Sequence, residues 1–264
     1  MSDQSLIQSD SLTDFRKESL TFLGKTKDVY TMGKGPAVIV MSELPGIYRS
    51  VSDFARKICA EGFTVWMPHM FGVAGKSPTS VYTFASMVSA CISREFSVFS
   101  ANKSSPIVDW LRKLARHAHA ESGGKGVGAI GMCFTGNFAF NLMLEPSVLA
   151  PVLSQPSLPL GKKGGMHIGQ EELHCIKKRL ENENLSVLGY CFEGDIFCRE
   201  ARFDDYQKAL GDRFKGSILP ATSAKPRTGQ APHSVVTRHL IDEEGEPTRA
   251  AVDEIIAFYN LRLK

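Results

Sequence analysis

Residues 127–136 read Val127-Gly128-Ala129-Ile130-Gly131-Met132-Cys133-Phe134-Thr135-Gly136. The first five are small or apolar and carry no charge, as in a short strand covered on both faces. Phe134 to Leu144 reads as an apolar helix that stops at Pro146. Between them, Gly131-Met132-Cys133-Phe134-Thr135 has the spacing of a nucleophile elbow, G-x-Nuc-x-G, in which a strand turns sharply into a helix. Such a turn is tight, so its flanking side chains must be small, and it lifts the central residue above the sheet edge. A helix start also favours a thiolate through its dipole. The N–H of Phe134 then points to where an oxyanion develops. Cys133 is therefore the candidate nucleophile, against the plainer reading of a small core residue between two packed elements.

The same alternation of strand and helix runs outward in both directions. Upstream, Phe22–Thr31 reads as a weakly alternating strand, and Pro36–Met41 as a continuous apolar one ended by Pro45-Gly46. A helix from Ser50 stops at Gly62, a strand covers 63–67, and helices cover 78–99 and 107–120. Downstream come a strand at 148–154, a Pro- and Gly-rich loop at 156–169 and a helix at 170–180. A strand at 186–192, a helix at 199–210, a strand at 215–219 and a helix at 248–261 complete the order. Repeated βαβ units predict a mostly parallel central sheet with helices on both faces. No repeat or linker divides residues 1–264, so one domain is expected, with 1–18 peripheral or poorly ordered.

Composition narrows the class. Lys and Arg number 31 against 28 Asp and Glu, a net charge of +3 with no concentrated basic patch. Nucleic acid and anionic membrane surfaces are therefore not expected partners. No apolar run approaches the ~20 residues of a membrane span, and the polar start is not a signal peptide, so the cytoplasm is the expected compartment. The six cysteines, at 59, 91, 133, 175, 191 and 198, form no C-x-x-C. They predict free thiols and no metal site, and no cofactor motif survives inspection. Gly126–Gly131 matches G-x-G-x-x-G, but it is itself the strand rather than the turn after one.

A nucleophile on such a fold is followed in the chain by an acid and then a base. Asp195 ends the strand at 186–192, past Gly194; Glu193 is its rival. His233, in Ala231-Pro232-His233-Ser234, is the candidate base. His239 is expected at the surface, like His117, His119, His167 and His174.

These residues together resemble the dienelactone hydrolases, a family of cysteine-dependent α/β-hydrolases. The resemblance runs from about residue 22 to the end. It rests on Glu43-Leu44-Pro45-Gly46, the elbow at 131–136, Gly194-Asp195 and His233-Ser234. It implies an α/β-hydrolase fold and cleavage of small esters or lactones. Cys133 would attack the carbonyl, His233 would move the proton, and Asp195 would hold the imidazole. It also implies that Glu43 hydrogen-bonds the resting thiol and that Leu44 supplies a second oxyanion N–H.

Three positions depart from the family. Thr135 replaces a glycine, which predicts a slightly opened elbow. Thr237 stands where an arginine binds the substrate carboxylate, with Arg238 one position later and Arg94 as a stand-in for the family's other arginine. His69 stands where an aspartate is frequent. Dienelactone is thereby in doubt as the substrate. A monomer or small homo-oligomer is expected. Two rival functions remain: a thiol-redox protein using Cys133 with Cys191 or Cys198 as resolving thiol, and a binding module that kept the pocket without turnover.

Overall fold

A computed structural model of the chain describes residues 9–93, 95–96, 104–227 and 230–264. Eight strands form one sheet: β1 (Arg16–Phe22), β2 (Lys25–Gly33), β3 (Ala37–Met41), β4 (Thr64–Pro68), β5 (Val127–Met132), β6 (Val148–Ser154), β7 (Val187–Phe192) and β8 (Phe214–Leu219). Their order across the sheet is β1-β2-β4-β3-β5-β6-β7-β8. From β4 to β8 every pairing is parallel; β1 and β2 add an antiparallel edge. This is the α/β-hydrolase architecture.

Strand chemistry explains the layering. Along β3, Val38 and Val40 face one apolar cluster, while Ala37, Ile39 and Met41 face the other. That period of two is what a strand covered on both faces requires. One cluster is covered by α1 (Arg49–Ala60) and α7 (Pro247–Leu263), through Phe54, Ile58, Ile255 and Tyr259. The other is covered by α3 (Ile107–Ser122), α4 (Phe138–Asn141), α5 (Gln170–Asn182) and α6 (Glu200–Leu210). At Gly128 an added Cβ would lie 2.8 Å from the Tyr259 ring, so glycine there lets α7 settle onto the sheet.

Three elements differ from expectation. The strand read at Phe22–Thr31 is a hairpin, β1–β2, turning at Leu23 and Gly24, both with positive φ. Residues 10–18, expected at the periphery, instead join the body. Leu12 and Phe15 are buried, and Arg56 binds Asp10 at 2.8 Å and Asp14 at 2.7 Å. The helix read at 134–144 is a 3₁₀ turn at Cys133–Thr135, the four-residue α4 and a second 3₁₀ turn at Leu142–Leu144. The Asn137 and Asn141 side chains both donate to the His167 carbonyl, which pins this segment in short pieces. Helix α2 (Ser80–Ile92) ends earlier than the expected 99, and residues 97–99 lie outside the described ones.

Among the described residues no helix is long and apolar enough to cross a membrane. Nor do three His, Cys, Asp or Glu side chains come together there as a metal site.

Candidate active site

The carboxyl ends of the parallel strands are where an open α/β sheet binds ligands. Glu43 follows β3, Cys133 follows β5, Gln155 and Ser157 follow β6, Asp195 follows β7, and His233 lies in the long segment after β8. Each candidate is thus delivered to one edge by a separate strand.

Cys133 takes the strained elbow conformation, with φ +52°. The turn is crowded: a Cβ on Gly131 would sit 2.0 Å from the Thr135 carbonyl oxygen, and one on Gly136 would sit 2.5 Å from the Pro156 Cα. Because α4 is a single turn, its dipole supports the sulfur less than a longer helix would. The nearer support is Ser157, whose Oγ lies 3.5 Å from Cys133 Sγ and whose N–H donates to the Cys133 carbonyl at 2.9 Å. The Leu44 and Phe134 N–H groups donate to no backbone carbonyl among the described residues outside regular elements.

Asp195 is buried. Its Oδ1 accepts from the Phe197 and Cys198 N–H groups at 2.8 and 3.1 Å. Its Oδ2 lies 2.6 Å from His233 Nδ1. That contact turns the imidazole so that Nε2 is the nitrogen left free, buried and without a hydrogen-bond partner of regular geometry among the described residues. Burial opposes protonation of His233. The electrostatic pull of the neighbouring Cys133 sulfur and the bond to Asp195 outweigh it and hold the His233 pKa well above its ordinary value. Glu193 is exposed, so Asp195 is the carboxylate that meets the histidine.

Glu43 does not sit as expected. Its Oε1 accepts from Tyr48 and Thr237, and its Oε2 from Ser234 at 2.7 Å and Gln155 Nε2 at 3.2 Å. These four donors leave the thiol with Ser157, not Glu43, as its hydrogen-bonding neighbour. Burial would raise the Glu43 pKa. The Arg238 charge and the Thr237 and Tyr48 bonds overcome it and hold the carboxyl below the usual range.

The dienelactone hydrolase family matches residues 21–158, just over half of the chain. The chain belongs to the dienelactone hydrolase family. No curated protein matches it. Among solved structures, a Klebsiella pneumoniae protein assigned to the dienelactone hydrolases superposes with a TM-score of 0.64 at 17% identity, covering 93% of this chain and 98% of that one. A dienelactone hydrolase-like promiscuous phosphotriesterase from metagenomic libraries gives 0.61 at 17%, covering 94% and 98%. A cold-adapted esterase from an Arctic intertidal metagenomic library gives 0.59 at 13%, covering 97% of each chain. At these identities the likeness is one of fold. The family match ends before Asp195 and His233, so their pairing rests on the geometry alone.

As a dienelactone hydrolase family member, the chain handles its departures in specific ways. Thr135 is fully buried in the turn. Its hydroxyl accepts from the Met132 N–H at 2.9 Å and reaches the Met41 carbonyl at 2.8 Å, tying the elbow to the end of β3. Thr237 donates to Glu43. Arg238 is brought to the site: its Nε donates to Tyr48 Oη at 3.2 Å, its guanidinium lies over the Tyr48 ring, and its buried Nη2 has no partner among the described residues. Arg94 lies outside the described residues. His69 bonds the Gly72 carbonyl at 3.1 Å. Two histidines expected at the surface are buried: His167, whose Nε2 lies 2.8 Å from Ser105 Oγ, and His239.

Sequence reading gave Ser234 no role and missed Ser157, Gln155, Tyr48 and Phe197, whose ring packs edge-on at 5.3 Å from His233. A signal existed for two of them. Ser154-Gln155-Pro156-Ser157 ends a parallel strand, the same placement that singled out Asp195.

Proposed function

We propose that the chain hydrolyses small esters or lactones through Cys133, His233 and Asp195, with an acyl-enzyme intermediate. The observation that carries this reading is the 2.6 Å contact between Asp195 Oδ2 and His233 Nδ1 beside the elbow cysteine. Cys133 Sγ, having passed its proton to His233 Nε2, attacks the ester carbonyl carbon. The oxygen gains charge beside the Phe134 and Leu44 N–H groups. Collapse breaks the C–O bond, and the leaving alkoxide takes the proton from Nε2. Water then gives a proton to Nε2 and its oxygen to the acyl carbon; the thiolate leaves with the acid as second product. The steps consume only ester and water.

Arg238 supports a substrate with an anionic group near the reacting bond, since its buried Nη2 has no partner among the described residues. The test is turnover of p-nitrophenyl acetate by Cys133→Ala, Cys133→Ser and His233→Ala. Each is expected to lose at least about 1000-fold, the scale of removing a nucleophile or its base. Unchanged turnover in all three would remove the triad. For Arg238→Gln, a p-nitrophenyl hemisuccinate is expected to lose more kcat/KM than the acetate.

A further inference from the structure

His239 is buried, 3% exposed, and no step above uses it. Its Nδ1 stands opposite two backbone donors, the N–H of Ser234 at 3.1 Å and the N–H of His233 at 3.4 Å. An atom facing two N–H groups must be an acceptor, so Nδ1 carries no proton and the ring is the neutral Nε2–H tautomer. The backbone closes the same loop from the other side, as the His239 N–H donates to the Ser234 carbonyl at 3.0 Å. The edge of the imidazole also rests against Phe192, at the end of β7 and three positions before Asp195, with ring centres 6.2 Å apart.

We infer that His239 is a positioning residue for the catalytic base, an acceptor that fixes the main chain of His233 so that its ring meets Asp195 with Nε2 free. The inference rests on the reading of His233 as that base. The constraint runs through the base, the serine after it and His239. Protonation of Nδ1 would set a third N–H against the two it accepts from. The surroundings resist it: burial pulls the His239 pKa down to about 4, and Arg227, His233 and Arg238 oppose a further positive charge, against Glu43 alone. A hydrophobic residue of the same size would fill the space and leave both N–H groups without their acceptor, the buried one of Ser234 included.

Two substitutions separate acceptor from filler. His239→Asn keeps an acceptor oxygen at the position of Nδ1; His239→Leu keeps bulk and removes the acceptor. With p-nitrophenyl acetate, His239→Leu is expected to lower kcat about 10- to 100-fold with KM nearly unchanged, because a base displaced by a fraction of an ångström loses much of its effect. The limb of the pH–rate profile set by His233 should move to lower pH, as the Asp195 bond that raises its pKa slackens. His239→Asn should restore both to within about 3-fold of the wild type. Low-field proton NMR of the Nδ1–H shared by His233 and Asp195 reads the positioning without substrate: it should shift or vanish in the Leu variant and return in the Asn variant. The inference is overturned if the Leu and Asn variants behave alike, whether both keep the wild-type profile and resonance or both lose them. Cys133→Ala run alongside distinguishes the two failures: if it stays active, the hydrolytic reading falls, while the NMR comparison still judges His239.

Discussion

Replacing Glu43 with glutamine changes one oxygen to NH₂ and removes a charge, and the cage around it sets the cost. If the new amide keeps its oxygen toward Ser234 and Gln155, its NH₂ faces the Tyr48 and Thr237 hydroxyls. Those hydroxyls can rotate to accept, but Tyr48 Oη already accepts from Arg238 Nε. In the opposite orientation the NH₂ meets Gln155 Nε2, and turning Gln155 over sets its own NH₂ against the Val235 N–H. Either way, four charge-assisted bonds become neutral or are lost, and Arg238 loses the opposing charge of Glu43. A charge-assisted bond is worth about 1.5–3 kcal/mol against about 1 for a neutral one, so the net loss, after relief of burying a carboxylate, is about 3 kcal/mol. For a chain of this size that corresponds to a Tm lowered by roughly 6–10 °C at pH 7. Thermal melts at pH 7 and at descending pH are the assay. Glu43 is held below the ordinary carboxylate range, so its ionisation contributes stability that is present above that range and lost as pH falls through its folded-state value. The wild type should lose stability there and Glu43→Gln should not, so the two curves converge in acid. A Glu43→Gln protein that melts within about 2 °C of wild type at pH 7 would refute the cage argument. If that variant also loses all turnover, Glu43 acts on the thiol after all.

Other outcomes follow from the same contacts. Ser157→Ala removes the hydroxyl beside Cys133 Sγ and is expected to lower kcat for p-nitrophenyl acetate about 3- to 10-fold, the worth of one weak hydrogen bond, with KM little changed. Thr135→Val keeps the branched shape but leaves the Met132 N–H and the Met41 carbonyl without their partner; urea unfolding should show a loss of about 2 kcal/mol. His239 is depressed to about 4, so it contributes stability that is complete above its unfolded value and is lost as pH falls from about 6.5 toward about 4. Melts of wild type and His239→Asn across that window should diverge toward neutral pH. His233 has the opposite sign: its raised pKa contributes stability that is present below its unfolded value and lost as pH rises through the folded one. Comparison of wild type with His233→Gln above neutral pH checks it.

The rival reading of Cys133 as a redox thiol meets the placement of its partners. Cys191 and Cys198 are both buried, and burial together with the neighbouring Cys191 pushes the Cys198 thiol well above its ordinary value. The Cys198 N–H instead holds Asp195.

What the sequence determined by itself is most of the strand order and the sharp elbow, both set by local backbone geometry. Alternation and apolar runs placed the seven strands from β2 onward to within a few residues, apart from the hairpin turn at Leu23-Gly24. The five-residue elbow spacing marked Cys133, because a strand entering a helix through small residues admits few conformations. Chain order after a nucleophile marked Asp195 and His233. What only the tertiary structure decided is which buried polar groups meet. Ser234 and Thr237 lie 191 and 194 positions after Glu43, yet they turn its carboxylate away from the thiol. No periodicity records that meeting, since it arises when β3 and the segment after β8 are brought to one sheet edge. His239 shows the same division: as sequence it is one polar residue in a short ordered run, and only the folded loop sets its Nδ1 against two backbone N–H groups.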